Sequence, residues 1–240
     1  MAGRFEGKVV MVTGATGNLG QAAVRAYAGE GANVVLVGRS QDELNRLIGE
    51  LGGDGSRYLA GPADVADPAS VDALVRQVES RFGQIDVLAH TVGGFAAGQP
   101  VHEAGMDVWD KMMNLNAKTV YVTCGRVAQH MVEKGVPGKI VAVLSKHAYA
   151  GSRNSAAYSA SKAAAQRVLE SMAAELGSLG INVNAIVPAR IDTPQNRAES
   201  PNADYSKWVK PAEIADAMLY LTSDAARSIN GASLNLYGQS

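Results

Sequence analysis

The sequence predicts an α/β fold of the Rossmann type: a single doubly wound domain whose parallel sheet has helices on both faces. Short runs rich in Val, Ile and Leu alternate with amphipathic stretches along the whole chain. Such alternation is typical of strands joined by helices into a parallel sheet that is buried on both sides. Because no linker-like or low-complexity segment interrupts the pattern, we predict one domain over residues 1–240.

The first half of the chain contains four strands and three helices by this pattern. Residues 8–13 form a continuous apolar run of the kind that lies in the centre of a sheet. A glycine-rich turn follows it. The later strands are predicted at 33–37, 56–60 and 85–89, and the helices at 19–30, 41–51 and 68–82. Asp67 precedes Pro68, a pair that is typical of a helix N-cap and first helical position.

The second half continues the alternation with longer helices. Residues 107–134 and 156–179 each show one uninterrupted helical pattern. Strands are predicted at 139–144, 181–187 and 233–237, with a last helix at 211–223.

Composition and charge exclude several classes of function. The net charge is −1, which argues against nucleic acid or an anionic membrane surface as a partner. Cys124 is the only cysteine and the four histidines are scattered, so we predict no disulfide and no metal site. No apolar run approaches the roughly 20 residues that span a bilayer, and the N-terminus lacks the apolar segment of a signal peptide. We therefore expect a cytoplasmic protein that acts on a small molecule.

The turn after the first strand predicts a dinucleotide site. It reads Thr13-Gly14-Ala15-Thr16-Gly17-Asn18-Leu19-Gly20. Glycines at these positions let the backbone approach a pyrophosphate, and the following helix offers free N–H groups and a positive dipole to the phosphates. Its place at the first strand–helix junction makes this interpretation stronger than glycines alone would.

The end of the second strand favours NADP(H) over NAD(H) as the cofactor. A carboxylate at this place would bind the adenosine ribose hydroxyls and repel a 2′-phosphate. Here the place is taken by Gly38, and Arg39 follows it. A guanidinium can pair with a 2′-phosphate through two hydrogen bonds, although an exposed arginine with no ligand is the alternative.

A tyrosine, a lysine and a serine form the candidate catalytic group. Tyr158 and Lys162 lie one turn apart on one face of a predicted helix. A phenol has a pKa of about 10, and a neighbouring ammonium favours its ionised form, so the pair can pass a proton to or from a substrate oxygen. Ser145 follows the preceding strand, at the sheet edge where ligands bind, and can hold that oxygen.

With these motifs the chain resembles the short-chain dehydrogenases/reductases over essentially its whole length. The matching features are the turn from Thr13 to Gly20, Asp64-Val65, Asn116, Ser145, Tyr158-x-x-x-Lys162 and the stretch from Pro188 to Thr193, in the expected order. The resemblance implies a seven-stranded parallel sheet and a homotetramer, or a homodimer, paired through the two long helices.

The resemblance also implies residue roles. Asn116, Ser145, Tyr158 and Lys162 would form a catalytic tetrad, in which Asn116 holds a water linked to Lys162, and Lys162 also binds the nicotinamide ribose. Asp64 and Val65 would contact the adenine, and Ile191 and Thr193 the carboxamide. With the residues of the turn and of the strand ends, the predicted cofactor-binding set is Gly14, Thr16, Asn18, Leu19, Arg39, Asp64, Val65, His90, Gly93, Tyr158, Lys162, Pro188, Ile191 and Thr193.

Three departures from the family pattern concern the site. Asn18 replaces the middle glycine of the turn, and we expect it to tolerate an unusual backbone angle. The usual Asn-Asn-Ala-Gly motif reads His90-Thr91-Val92-Gly93, in which His90 is interpreted as a structural donor rather than a catalytic group. Arg190 follows Pro188-Ala189 and either binds an anionic or carbonyl-rich substrate or pairs with Asp192. Phe95, His147 and Arg190 are the candidate substrate contacts.

Three functions stay open at this point. The first is an NADPH-dependent ketone or 3-oxoacyl reductase, which the complete tetrad and Arg39 favour. The second is a pterin- or quinone-type ring reductase, because residues 192–208 and Val92-Gly93-Gly94-Phe95 look like those of dihydropteridine reductases, which lack the serine. The third is a regulatory protein that binds NADP(H) without catalysis.

Overall fold

A parallel sheet of seven strands runs through the centre of the molecule, whose computed structural model describes residues 3–52 and 55–238. The strands are β1 (Val9–Thr13), β2 (Asn33–Gly38), β3 (Tyr58–Pro62), β4 (Val87–His90), β5 (Lys139–Val143), β6 (Asn182–Pro188) and β7 (Ser233–Leu236). Their order across the sheet is β3-β2-β1-β4-β5-β6-β7, and every neighbouring pair is parallel.

Helices connect the strands. They are α1 (Asn18–Gly29), α2 (Gln41–Leu51), α3 (Pro68–Phe82), α4 (Met106–Met112), α5 (Thr119–Lys134), α6 (Ala156–Leu176), α7 (Pro194–Glu199) and α8 (Pro211–Thr222). A π-helical turn, Met113–Lys118, joins α4 to α5. As predicted, Asp67 caps α3, since its carboxylate accepts a hydrogen bond from the Ser70 N–H. Among the described residues, no helix has the length and apolarity needed to cross a membrane.

The strands contribute to two apolar cores, one on each face of the sheet. Alternate residues of a strand point to opposite faces. Val9 and Met11 of β1 pack with the buried residues of α3, α5 and α6. Val10 and Val12 of the same strand pack with those of α1, α2 and α8. Because both faces are covered, β1 is apolar throughout, and the predicted doubly wound single α/β domain is confirmed.

The strand order places the site. β2 and β3 lie on one side of β1, and β4 to β7 lie on the other side. The strand order therefore reverses direction at β1. Loops therefore diverge at the carboxyl ends of β1 and β4 and open a crevice there, which is where open α/β sheets bind ligands. The glycine-rich turn lies at this edge, directly after β1.

Besides shifts of one to three residues at the ends of other elements, three differences from the sequence-based expectation have a structural reason or concern a whole element. The third strand begins and ends two residues later than predicted, and it includes Pro62; this is possible because β3 is an edge strand, where a missing N–H costs no ladder hydrogen bond. The helix predicted at 107–134 contains the π-helical turn, because the Asn116 side chain bonds to a loop outside the helix. The short helix α7 was not predicted at all.

Candidate active site

The turn after β1 is shaped to receive a phosphate group. Gly14 has a φ of +69°, a backbone angle that favours glycine. The Gly17 N–H donates to the Gly14 carbonyl at 3.0 Å and closes the turn. A Cβ on Gly20 would lie 1.9 Å from the same carbonyl oxygen, so only glycine fits where α1 crosses the turn. Within residues 3–52 and 55–238, no side chain caps the first N–H groups of α1. The cradle therefore fits a pyrophosphate at the helix N-terminus.

Asn18 differs from the expectation. It takes the first position of α1, whose N-cap Gly17 has a φ of −76°, and among the described residues Asn154 alone combines a side chain with a positive φ. Asn18 therefore needs no unusual backbone angle, and the left-handed conformation falls on Gly14. The tolerance of unusual backbone angles that was expected of Asn18 is therefore not needed at this position.

Replacing Gly20 with alanine is expected to weaken dinucleotide binding at least tenfold and to lower the free energy of unfolding by about 1–3 kcal/mol, because the methyl group meets backbone that cannot rotate away. Thermal unfolding and a fluorescence titration with NADPH measure both effects. Gly29→Ala is the matched control: Gly29 lies in the same helix with nothing within 4 Å of a Cβ, so it should bind normally. Wild-type affinity in Gly20→Ala would contradict this account of the turn.

A cleft of about 740 Å³ opens at the carboxyl edge of the sheet and brings together most of the predicted site. The predicted residues that line it are Gly14, Asn18, Leu19, Gly93, Phe95, Ser145, His147, Tyr158, Lys162, Pro188, Arg190, Ile191 and Thr193. They come from the ends of β1, β4, β5 and β6 and from the first turns of α6, which is the arrangement that the motif order predicted.

Tyr158 lies between two aromatic rings at the floor of this cleft. The Phe95 ring packs edge-on against it at 4.8 Å between centroids, and the His147 ring at 5.2 Å. Burial raises the pKa of Tyr158, and a hydrogen bond with the Ser145 hydroxyl opposes that rise. The sequence-based expectation was that Lys162 would favour the ionised phenol. In the structure the largest effect on the pKa of Tyr158 is burial, which favours the protonated phenol.

Lys162 is buried beside the tyrosine. Its Nζ donates to the Val143 carbonyl at the end of β5, at 3.2 Å. Burial lowers the pKa of Lys162 to about 8. A Cβ on Gly93 would lie 3.0 Å from this Nζ, so the glycine at the end of β4 leaves the room that the ammonium occupies.

Asn116 holds the loop after β4 from the π-helical turn. Its Oδ1 accepts from the Gly94 N–H at 2.9 Å, and its Nδ2 donates to the Gly94 carbonyl and to Ser161 Oγ, each at 3.0 Å. The same Oδ1 would lie 3.0 Å from a Cβ on Gly93, on the side where Lys162 Nζ lies. Asn116 thus fixes the backbone next to the lysine; π-helical turns of this kind are frequent at functional sites.

His90 lies behind the cleft rather than in it. The ring is fully buried at the end of β4, and Nδ1 is 3.0 Å from Thr13 Oγ1 in β1. Burial, with a smaller effect of Lys162, lowers the pKa of His90 to about 3, so the ring is neutral. The structure therefore places His90 as a contact between two strands, and its side chain presents no surface to a cofactor.

The predicted adenosine contacts lie further along the sheet edge, outside the cleft. Thr16 adjoins the end of β2, since a Cβ on Gly38 would lie 3.6 Å from its Cγ2. Arg39 is exposed there and has no hydrogen-bond or ionic partner among the residues that the structure describes. Asp64 follows β3, and its carboxylate accepts a hydrogen bond from the Ala66 N–H. The Val65 carbonyl accepts a hydrogen bond from the Thr123 hydroxyl.

The short helix α7 covers the outer end of the cleft. Thr193 caps it by accepting from the Asn196 N–H, and Pro194 takes its first position. Arg190 donates to Glu199 at 3.3 Å and stacks on the Trp208 ring. The predicted alternative that Arg190 pairs with Asp192 is wrong, because Asp192 is held by two hydrogen bonds from Arg197.

Some residues of the cleft were missed by sequence reasoning. They include Gly94, Val143, Leu144, Gln195, Asn196 and Glu199. The last three belong to α7, and the one signal for this helix was Thr193 followed by Pro194, an N-cap followed by a first-position proline. Nothing in the sequence pairs Glu199 with Arg190.

The fold and the cleft together are those of a class of protein, the dinucleotide-dependent oxidoreductases. A family model described as short chain dehydrogenase matches residues 8–204. The chain belongs to the short-chain dehydrogenase family, as the resemblance of its motifs implied.

Individual relatives agree with this assignment. D-threitol dehydrogenase from Mycolicibacterium smegmatis is 35% identical over 98% of this chain and 93% of that protein. The 2,3-dihydro-2,3-dihydroxybenzoate dehydrogenase of Bacillus subtilis is 30% identical over 94% of this chain and 92% of that protein. Among solved structures, 3-ketoacyl-(acyl-carrier-protein) reductase from Brucella melitensis, complexed with NADH, superimposes with a TM-score of 0.86 at 31% identity, covering 97% of this chain and 98% of that one. The protein is an oxidoreductase of this family that acts on alcohol or ketone groups.

Proposed function

We propose that this enzyme interconverts a small ketone and its secondary alcohol, with NADP(H) preferred over NAD(H). The observation that carries the proposal is the cluster of Ser145, Tyr158 and Lys162 in one cleft next to the glycine cradle. A protein that only binds a dinucleotide has no need to hold these three groups together, which argues against a purely regulatory role.

The residues fit a nicotinamide dinucleotide. The turn from Gly14 to Gly20 would hold the pyrophosphate, Lys162 the nicotinamide ribose, and Ile191 and Thr193 the carboxamide. When bound, the nicotinamide supplies or takes the hydride. The side chains of the cleft orient the substrate and transfer the proton.

In the reducing direction the protein supplies a proton to the substrate oxygen. Ser145 donates a hydrogen bond to that oxygen, and Tyr158, whose pKa burial raises, enters the step protonated and gives up its phenol hydrogen. In the oxidising direction the same phenol oxygen takes the hydroxyl hydrogen. Lys162 adds positive charge close to the tyrosine, which stabilises the phenolate that forms when the proton leaves.

The preference for NADP(H) rests on Arg39 at the end of β2. Replacing Arg39 with aspartate is expected to weaken NADPH binding about tenfold to hundredfold, because two charge-assisted hydrogen bonds are lost and a like charge is added. NADH binding should change little or improve. Titrations with both cofactors measure the ratio. Arg76→Asp, the same charge change on the exposed side of α3, is the control. Unchanged NADPH affinity in Arg39→Asp would remove Arg39 from the site.

The substrate end of the cleft favours a molecule with hydrogen-bonding groups. Lys146, Arg190, Gln195 and Glu199 line it in addition to the aromatic rings. D-threitol and 3-oxoacyl thioesters, the substrates that the names of two relatives indicate, therefore head the candidates.

A substrate panel tests the proposal. Erythrulose (the ketone of threitol), acetoacetyl-CoA, cyclohexanone, menadione and a quinonoid dihydropterin are offered with NADPH, and its absorbance is followed. We expect turnover of at least one ketone. Turnover of the dihydropterin alone would support the ring-reductase alternative, which the presence of Ser145 disfavours. Tight NADPH binding without any turnover would support the regulatory alternative.

We also propose that α4, α5 and α6 pair subunits in a homotetramer or homodimer. Large apolar side chains are exposed on this part of the molecule, among them Trp109, Tyr121 and Val132. A contiguous apolar patch formed by such residues on the surface of one chain would mark the site where subunits pair.

A further inference from the structure

The groups around Ser145 determine where its single hydroxyl hydrogen points. Ser145 follows β5 and caps the 3₁₀ turn Lys146–Ala148. The backbone N–H of His147 donates to Ser145 Oγ at 3.4 Å, and Nδ1 of the His147 ring lies 3.2 Å from the same oxygen. Two nitrogens of one residue are therefore directed at the Ser145 hydroxyl, which lines the cleft.

His147 also touches the other group that handles the substrate oxygen. Its ring packs against that of Tyr158 at 5.2 Å between centroids, with a 64° angle between planes. The His147 side chain is half-buried and lines the cleft. His147 thus contacts both Ser145 and Tyr158.

The position of the single ring hydrogen of His147 determines whether its ring donates to Ser145 or accepts from it. Burial, together with Lys146, lowers the pKa of His147, so the ring is neutral at pH 7 and carries one N–H. With that hydrogen on Nε2, Nδ1 would accept the Ser145 hydrogen and withdraw it from the substrate. When the ring hydrogen is on Nδ1, the backbone N–H and the Nδ1–H of His147 both donate to Ser145 Oγ and occupy its two lone pairs. The hydroxyl hydrogen is then free to point into the cleft.

The contact with Tyr158 favours the second arrangement. Ser145 and Tyr158 share a hydrogen bond in which Ser145 can donate to the phenol oxygen. A serine that donates to Tyr158 cannot also donate to His147. When Ser145 donates to Tyr158 or into the cleft, the 3.2 Å contact is an Nδ1–H that donates to Ser145 Oγ.

We propose that His147 is a positioning residue whose Nδ1–H fixes Ser145 as a hydrogen-bond donor toward the substrate oxygen. The proposal rests on the proposed ketone–alcohol activity. The proton still passes through Tyr158, and His147 neither gains nor loses one in the reaction. Its part is to hold Ser145 in the orientation that the carbonyl oxygen needs.

The tautomer can be measured without any substrate. In protein labelled with ¹⁵N at histidine, the ring nitrogen shifts at pH 7.5 distinguish Nδ1–H from Nε2–H, and the spectrum of His147→Phe identifies the His147 signals. We expect the Nδ1–H form. A dominant Nε2–H form would overturn the proposal.

Kinetics test the same role through two substitutions. His147→Phe keeps a ring against Tyr158 but has no nitrogen, and we expect kcat for erythrulose or acetoacetyl-CoA to fall about tenfold, the effect of one hydrogen bond. KM and NADPH affinity should change less than about twofold, which also shows that the variant is folded. In His147→Asn, the amide nitrogen can stand in for Nδ1 and should restore most of kcat. Tyr149→Phe, at an exposed residue just beyond the 3₁₀ turn, serves as the control with unchanged kcat.

A double substitution separates positioning from an independent role. If His147 acts through Ser145, adding His147→Phe to Ser145→Ala causes no further loss of kcat. A second tenfold loss in that background, or an unchanged kcat in His147→Phe, would overturn the proposal while leaving the ketone–alcohol activity intact. Failure of the wild-type enzyme to turn over any ketone of the panel would instead refute the proposed function, and this role with it.

Discussion

Replacing Tyr158 with phenylalanine is expected to lower kcat by about 10²–10⁴-fold, the usual contribution of a positioned proton donor. The substitution removes one oxygen and keeps the ring between Phe95 and His147. Binding of NADPH should therefore stay within about twofold of the wild type. Steady-state kinetics and a fluorescence titration measure the two quantities on the same preparation.

The pH dependence of the wild-type enzyme is a second test of the role of Tyr158 in proton transfer. Because burial raises the pKa of Tyr158, the phenolate that alcohol oxidation needs becomes more abundant as pH rises toward 10 and above. Oxidation should accelerate with pH, whereas ketone reduction should not. Loss of this difference would contradict the assignment of the proton to Tyr158, as would a Tyr158→Phe variant with more than about a tenth of wild-type kcat.

Replacing Lys162 with methionine is expected to lower kcat/KM by about 10²-fold or more. The charge next to Tyr158 disappears, and so does the donor for the nicotinamide ribose. Hydrogen bonds to a charged group contribute roughly 1.5–3 kcal/mol, so NADPH affinity should also fall about tenfold or more. This separates Lys162→Met from Tyr158→Phe, in which affinity is kept. Activity within a few-fold of the wild type would contradict the role of Lys162.

The same substitution should leave the protein at least as stable as the wild type at pH 7. Burial lowers the pKa of Lys162 from 10.5 to about 8, and each pKa unit corresponds to about 1.4 kcal/mol. Burying the charged form costs the folded state on the order of a few kcal/mol, which offsets the lost hydrogen bond to Val143.

The sign of the pH effect follows from linkage. Below pH 8 the folded and unfolded states both hold the lysine proton, and the folded state carries the full cost. Between pH 8 and 10.5 the unfolded state binds more protons, so the wild-type free energy of unfolding rises with pH relative to that of Lys162→Met. Denaturant unfolding at several pH values measures this; a wild type that loses stability relative to the variant across this window would contradict it.

Much of the fold could be predicted because its signals are local. Buried strands such as β1 are apolar throughout since both faces of the sheet are covered, and the helix α3 starts at Pro68 behind its Asp67 cap. The candidate site was predictable for the same reason. Tyr158 and Lys162 are one helical turn apart, and Ser145 lies thirteen residues upstream at the end of the preceding strand.

What could not be predicted depends on contacts between distant parts of the chain. The pairing of Arg190 with Glu199 requires α7, a six-residue helix too short to show a periodic pattern. The π-helical turn arises where Asn116 bonds to Gly94. The protonated state of Tyr158 follows from burial, which no spacing between residues reveals.

Deuterium transfer from NADPH that carries deuterium at both C4 positions tests the central claim most directly. Wild-type enzyme is incubated with erythrulose or acetoacetyl-CoA, and the product is examined by mass spectrometry. We predict one deuterium on the carbinol carbon with the wild type, and almost none in the same time with Tyr158→Phe at equal NADPH occupancy. Transfer by Tyr158→Phe at the wild-type rate would contradict the claim that Tyr158 moves the proton in this site.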